Sequence, residues 1–398
     1  MEGAGLGQSR GGHGLPAISL FSGAMGMDLG LERAGFEIRL CVESDPYCAK
    51  TIGLNRPDLP VISRDIRTVP TDEVLEAANL KPGEPALIAG GPPCQSFSTA
   101  GRRGSIRDER GSLFQEFARV VSDAQPRFVL MENVRGILSA AVRHRPLADR
   151  GKGKRPLASI EKPGSALKVI RDEFDTIGYD LRSHVLNAAD FGTPQSRVRV
   201  FLIGSRSGEE VTFPRPTHDR YGRSGLKPWG TLRDALADLN DPTPEFRPFS
   251  EERLRYLRHI PPGGNWRDLP SRLTRQAMGG AFDAGGGKVG FYRRLSWDRW
   301  SPTLPATPDQ KGTCLCHPKD LRPLSVREYM RIQQFPDNWK LAGGTSQKYK
   351  QVGNAVPVGM ARAVGQRICR VARADGGKPW SGTRAVQRRL VYVSADRM

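Results

Sequence analysis

Between residues 16 and 205 the chain alternates short apolar runs with helix-like stretches, and this alternation limits the folds open to it. AISLF (17–21), IRLCVE (38–43), ALIAG (86–90), FVLMEN (128–133) and VRVFLIG (198–204) have the length and apolar content of strands. Segments near 26–34, 45–54, 71–79, 112–123 and 164–177 read as helices. Strand–helix alternation predicts the α/β class: a doubly wound, mostly parallel sheet with helices on both faces. Such sheets bind ligands beyond the carboxyl ends of their strands.

The rest of the chain has a different character. From 206 to 320 Pro, Gly, Trp and Arg rise and the hydrophobic period fades, which predicts a smaller irregular domain. Residues 325–334 and 346–372 turn helical again, so 321–372 reads as a C-terminal segment returning to the first domain. Residues 1–15 read as a flexible tail without the apolar centre of a secretory signal, and 373–398 as a basic tail. No run of 18 apolar residues exists, so no membrane span is expected.

With 61 Lys and Arg against 42 Asp and Glu, the net charge is +19. That excess points to a polyanion, most often nucleic acid, or to an arginine-rich soluble protein of a GC-rich genome. The six cysteines form no disulfide framework in a chain this long, so a reducing cytoplasm is expected; the chain is expected to work as a monomer. Cys314, Cys316 and His317 hint at a metal, but no second ligand pair lies nearby and none is expected.

Chemistry-bearing residues gather at the strand ends. The first strand runs into FSGAMGMDLG, where Gly23 and Gly26 would let backbone approach a ligand, or would form only a tight turn. Glu43 ends the second strand, a usual place for a carboxylate that grips ribose hydroxyls. Asp65 is placed to accept from an adenine amino group; either acid alone could be a strand-end charge or a helix cap. Together they suggest an adenosine-containing cofactor, and the missing Gly-x-Gly-x-x-Gly makes a pyrophosphate a poorer fit.

GGPPCQSFS (90–98) leaves the ALIAG strand. Pro92 and Pro93 fix φ and stiffen the approach to Cys94, while Gln95, Ser96 and Ser98 argue against burial of the thiol. Arg102, Arg103, Arg107 and Arg110 follow; they would favour the nucleophilic thiolate or bind phosphate. Glu132 ends the next strand at the same edge, a candidate proton donor or else a helix-capping acid. Gln195, Arg197 and Arg199 share one strand face by their period of two, which suits phosphate, a base carbonyl or a solvated edge.

FSGAMGMDLGLERAGF, GGPPCQSFSTAG, MENVRGIL, QSRVRVFLIG, RPLSVREYMRIQQFPDNW and QVGNAVPVGMARAVG together resemble the DNA (cytosine-5)-methyltransferases of bacterial restriction–modification systems, in that family's order. The resemblance covers about 16–205 and 292–370. It implies a Rossmann-like, S-adenosylmethionine-dependent fold with a target-recognition domain. It also implies methyl transfer to carbon 5 of a cytosine in double-stranded DNA, with the base out of the helix. Cys94 would attack carbon 6, Glu132 would meet ring nitrogen 3, and Arg197 would hold the base. S-adenosylmethionine would contact Phe21, Gly23, Gly26, Glu43, Asp65, Ile66, Pro92, Leu113, Asn354, Ala355 and Val356. Arg199 would support the loop; with Gln95, Ser98, Arg102, Arg103, Arg267 and Arg293 it counts among the DNA contacts. A cognate restriction endonuclease would act separately.

Two departures stand out. Pro92 replaces the aromatic residue that many members carry there, and 138–162 reads as a basic insertion, a solvated loop more than a DNA contact. Sequence choice is expected in 206–290. The family's transfer-RNA branch usually carries Cys-Phe-Thr in that region, and this chain does not. A silent DNA-binding relative would lose the cysteine or the glycines, and both remain.

Overall fold

The computed structural model describes residues 14–93, 112–146, 149–284 and 288–374. Cys94, Gln95, Ser98, Arg102 and Arg103 lie outside the described residues.

In chain order the first domain comprises β1 (Leu15–Leu20), α1 (Gly26–Ala34), β2 (Phe36–Val42), α2 (Pro46–Asn55), β3 (Val61–Ile62), α3 (Thr71–Ala77), β4 (Leu87–Gly90), α4 (Ser112–Ala124), β5 (Phe128–Val134), α5 (Ser165–Thr176), β6 (Arg182–Asn187), β7 (Gln195–Ser196) and β8 (Val198–Ser205). Seven strands form one sheet in the order β3-β2-β1-β4-β5-β8-β6. The pairs from β3 to β5 are parallel, and β8 runs antiparallel to both neighbours. Strand order reverses between β1 and β4, where Leu20 lies opposite Gly90 and Gly90 opposite Met131. The predicted doubly wound, mostly parallel sheet is the fold observed.

Alternation along the strands deals apolar side chains to two layers. Ala17, Leu87, Ala89, Phe128, Leu130 and Phe201 face one buried cluster. Ile18, Leu20, Ile88, Val129, Met131 and Val200 face the other, against Phe117 and Val121 of α4 and Phe174 of α5. The sequence reading missed β6, RSHVLN. It is an edge strand with a single buried side chain, Leu186, so no apolar run marks it.

Beyond β8 come β9 (His218–Asp219), β10 (Lys227–Pro228), α6 (Leu232–Leu236), α7 (Glu251–Leu257), α8 (Ser271–Met278) and β11 (Ser301–Pro302). Val211, Leu232 and Leu236 pack into the first cluster of the sheet domain. Tyr256, Leu257, Met278, Tyr292, Cys314 and Cys316 build a separate small core. His317 Nδ1 accepts backbone N–H bonds from Lys319 and Asp320. Among the described residues no cluster of three His, Cys, Asp or Glu is arranged to hold a metal. In the basic insertion Arg145 is buried, and it and Arg155 both pair with Glu161. No helix among the described residues is long and apolar enough to cross a membrane.

The chain then forms α9 (Val326–Ile332), α10 (Thr345–Asn354) and α11 (Val358–Ala374). The sequence predicts one helical stretch over 346–372. The structure breaks it at Ala355–Pro357: Ala355 is already extended at ψ 148°, and Pro357 disfavours helix at Val356 before it and supplies no N–H to continue the ladder. α11 lies along α1 at close range. A Cβ placed on Gly30 would sit 2.5 Å from Ala361 Cβ and from the Val358 carbonyl, and 2.7 Å from Arg362 N.

Gly30→Ala therefore tests the helix contact. Helix propensity alone would favour alanine by up to about 1 kcal/mol. The backbone clash should win and destabilise by roughly 2–3 kcal/mol in urea unfolding. Gly53→Ala in α2, where an added Cβ meets nothing within 4 Å, is the control and should stabilise slightly.

Candidate active site

The loop leaving β1 turns sharply. Phe21, Gly23 and Met25 all take positive φ (57°, 56° and 67°), and a Cβ on Gly23 would meet nothing within 4 Å. The loop thus presents open backbone at the switch point. Glu43, at the end of β2, is nearly buried; its carboxylate accepts from Gly23 N and Asp45 N, both at 2.7 Å. Burial pushes its pKa up and these two N–H donors pull it back. Across the loop, Gly26 would clash as any larger residue: an added Cβ would lie 2.5 Å from the Val356 carbonyl and 2.9 Å from Ala355 Cβ. Gly26 therefore admits the turn after α10 rather than presenting backbone to a ligand. Phe21 and Leu113 pack partly buried against the second cluster, and Ile66 is buried in it. The Asp65 carboxylate is held by the Arg67 backbone N–H and guanidinium, at 3.0 and 2.6 Å, which keeps its pKa low.

An open glycine turn, a recessed carboxylate and the Asn354–Val356 turn together could hold an adenosine-type ligand. Beside them lies a cavity of about 430 Å³ lined by Pro92, Pro93, Glu132, Arg197, Arg199 and Asn354, among others. Glu132 sits inside β5 opposite Phe201 and caps no helix. Its Oε1 meets Arg199 Nε at 2.9 Å. Burial raises the Glu132 pKa, and the charges of Arg199 and Arg197 only partly oppose this.

Gln195, Arg197 and Arg199 do not share one continuous strand. Gln195 belongs to β7, which pairs with β11, and β8 begins only at Val198. Gln195 Oε1 accepts from Leu304 N at 3.0 Å. Arg197, 2% exposed, donates to the carbonyls of Leu304 (3.4 Å) and Asn354 (3.2 Å), and its Nε has no hydrogen-bond partner among the described residues. Burial lowers its pKa. Arg199, read as a loop support and DNA contact, is the arginine that pairs with the acid.

Gln333 escaped the sequence reading. It is fully buried, accepts from Gln195 Nε2 at 2.9 Å, and donates to the carbonyls of Val352 and Ala355. Its only signal was a polar residue inside an apolar helix end. Arg267 is exposed and lies 4.9 Å from the Trp266 ring centroid. Arg293 lines a second cavity of about 540 Å³.

A seven-stranded, mostly parallel sheet with one antiparallel strand, a glycine turn after β1 and an acid after β2 define an α/β, Rossmann-like methyltransferase fold. The sequence model of the C-5 cytosine-specific DNA methylases matches residues 15–370, and the chain belongs to that family. It is a DNA (cytosine-5)-methyltransferase. It is 38% identical over 359 residues to the type II methyltransferase M.Eco47II of Escherichia coli, covering 88% of this chain and 78% of that protein. M.PspPI of Psychrobacter sp. is 39% identical over 365 residues, covering 90% and 79%. Among solved structures, a protein described as a prophage-encoded DNA modification methyltransferase of E. coli matches with a TM-score of 0.62 at 24% identity, over 90% of this chain and 99% of that one. A Spodoptera frugiperda DNMT2 variant matches with a TM-score of 0.52 at 18% identity, over 89% and 99%.

Behind the β1 loop, Asp28 is fully buried in α1, and neither oxygen has a hydrogen-bond partner among the described residues. Burial pushes its pKa up to about 7, and the neighbouring Ser19 hydroxyl offsets part of this. The folded state therefore holds a proton that the unfolded chain releases near pH 4. The associated stability is present below that pH and is lost as pH rises through about 7. Asp28→Asn lacks this loss. Its stability relative to wild type should improve by on the order of 3–4 kcal/mol between pH 4 and pH 8 in urea titrations. A pH-independent difference would place the charge elsewhere.

Proposed function

We propose that the chain transfers the methyl group of S-adenosylmethionine to carbon 5 of a cytosine within a specific double-stranded DNA sequence, through a covalent Cys94 adduct on an extruded base. The carrying observation is the shared cavity in which Pro93, the chain neighbour of Cys94, meets Glu132, Arg197, Arg199 and Asn354. Because the relatives M.Eco47II and M.PspPI are named type II methyltransferases, we extend to this chain a role in restriction–modification; a monomer working in the cytoplasm is part of the same proposal.

Gly23, Glu43 and the Asn354–Val356 turn would hold S-adenosylmethionine, with Phe21, Gly26, Asp65, Ile66, Pro92 and Leu113 around them. When bound, it supplies an electrophilic methyl group, which carbon 5 accepts. Cytosine is a weak nucleophile at that carbon. The Cys94 thiolate adds to carbon 6 and moves the electron pair toward the ring, and Glu132 holds a proton at ring nitrogen 3 to receive it. Its raised pKa favours the protonated form this requires. Arg199 orients the Glu132 carboxyl. Arg197 fixes the two backbone segments that wall the base, through Leu304 and Asn354. The carbon 5 proton then passes to a water molecule, its electron pair forms the carbon 5–carbon 6 double bond as the thiolate leaves, and the nitrogen 3 proton returns to Glu132, which restores the aromatic ring.

Methylated DNA mapped by bisulfite sequencing should show modified cytosines in one sequence context. A duplex carrying 5-fluorocytosine at that position should stay attached to the protein through denaturing electrophoresis, because fluorine cannot leave as the proton does. Peptide mapping should find the link at Cys94, and Cys94→Ser should form none. Normal methylation of ordinary DNA without any such adduct would end the covalent reading.

Glu132→Gln should lower the single-turnover rate by roughly a hundredfold or more. A rate equal to wild type would remove Glu132 from the chemistry.

A further inference from the structure

The 540 Å³ cavity opens beside the proposed base pocket. Thr303 lines both cavities, and Ser196, next to Arg197, lines the larger one. Among the described residues three arginines line it, and no acidic side chain does. Their surroundings differ. Arg294 spends its terminal nitrogens on the carbonyls of Ile260 (3.0 Å) and Lys319 (2.8 Å) and so ties the loop together. Arg299 is exposed at the rim, with no side-chain partner among the described residues. Arg293 is half-buried, and its Nε donates to the Val289 carbonyl at 3.1 Å. Its two terminal nitrogens have no partner among the described residues.

A guanidinium fixed at Nε, half removed from water and lacking a carboxylate, is an unsatisfied two-pronged donor. Two acceptors side by side would satisfy it. On duplex DNA the major-groove edge of guanine offers that pair, O6 and N7. We propose that Arg293 reads a guanine neighbouring the target cytosine through those two atoms, while Arg299 contacts a backbone phosphate at the rim. The inference rests on the proposed DNA methylation. It also moves part of the sequence-reading surface past residue 290, the limit expected from composition, so exchanging 206–290 alone would leave this guanine contact in place.

The test uses duplexes carrying the bisulfite-mapped site, with each guanine replaced in turn by 7-deazaguanine, which lacks the N7 acceptor. In wild type, one replacement should lower kcat/KM by roughly 5- to 100-fold. Arg293→Ala should lose a similar factor on the natural site and nothing further on that one modified duplex. Its thermal midpoint should match wild type, and Arg293→Lys should recover only part of the loss. Arg299→Ala should weaken all duplexes alike and flatten the salt dependence of binding by about one phosphate contact. The proposal is overturned if the mapped site has no guanine besides the one paired with the target cytosine. It is overturned equally if Arg293→Ala weakens every duplex by one factor that multiplies with each 7-deazaguanine loss. Absence of methylcytosine with wild type on any duplex DNA would instead sink the proposed function.

Discussion

Two backbones far apart in the chain approach more closely than any side chain permits. Gly26 and Gly30 on α1 leave room for the Val356 carbonyl and for Ala361, and only then does the turn after α10 reach the loop after β1. That turn supplies the second wall of the proposed cofactor site. The contact is van der Waals, worth little per atom pair, so its strength comes from fit. Any Cβ at Gly26 would push the wall outward and separate Asn354 from Gly23 and Glu43.

Polar groups then fix what the close packing admits. Gln195, Gln333 and Arg197 are all buried, and between them they bind Leu304, Val352, Asn354 and Ala355 by their backbone. A buried polar network of this kind is asymmetric in energy. Intact, each bond adds about 1 kcal/mol; broken, the orphaned partner costs more. The arrangement is therefore close to all-or-none, which suits walls that must hold a reacting base to a fraction of an ångström.

Much of this was legible in the sequence, for identifiable reasons. β1, β2, β4, β5 and β8 are buried on both faces, so their apolar runs are unambiguous. β6 is half solvated and carries no such run. Glu132 was marked by its place at the end of an apolar strand. The division of labour between Arg197 and Arg199 was not readable, because the period of two assumes one strand and the chain changes partners between Ser196 and Val198. Asp28 and Gln333 look like ordinary polar residues in mixed segments. What sets them apart is burial, and burial of a single polar side chain follows from tertiary packing rather than from local pattern.

The α1–α11 contact has a bearing on how the protein is made. Synthesis runs from the N-terminus, and the strands of the sheet emerge from the ribosome before the helix that covers α1 exists. Until α11 has emerged, Leu29 and Leu31 lack Met360, Ala361 and Val364, which share their buried cluster. Non-local pairing of this kind slows folding and leaves apolar surface open to other chains in the interval. The same delay separates translation from activity, since a nascent chain cannot complete the pocket until the Asn354 wall has emerged.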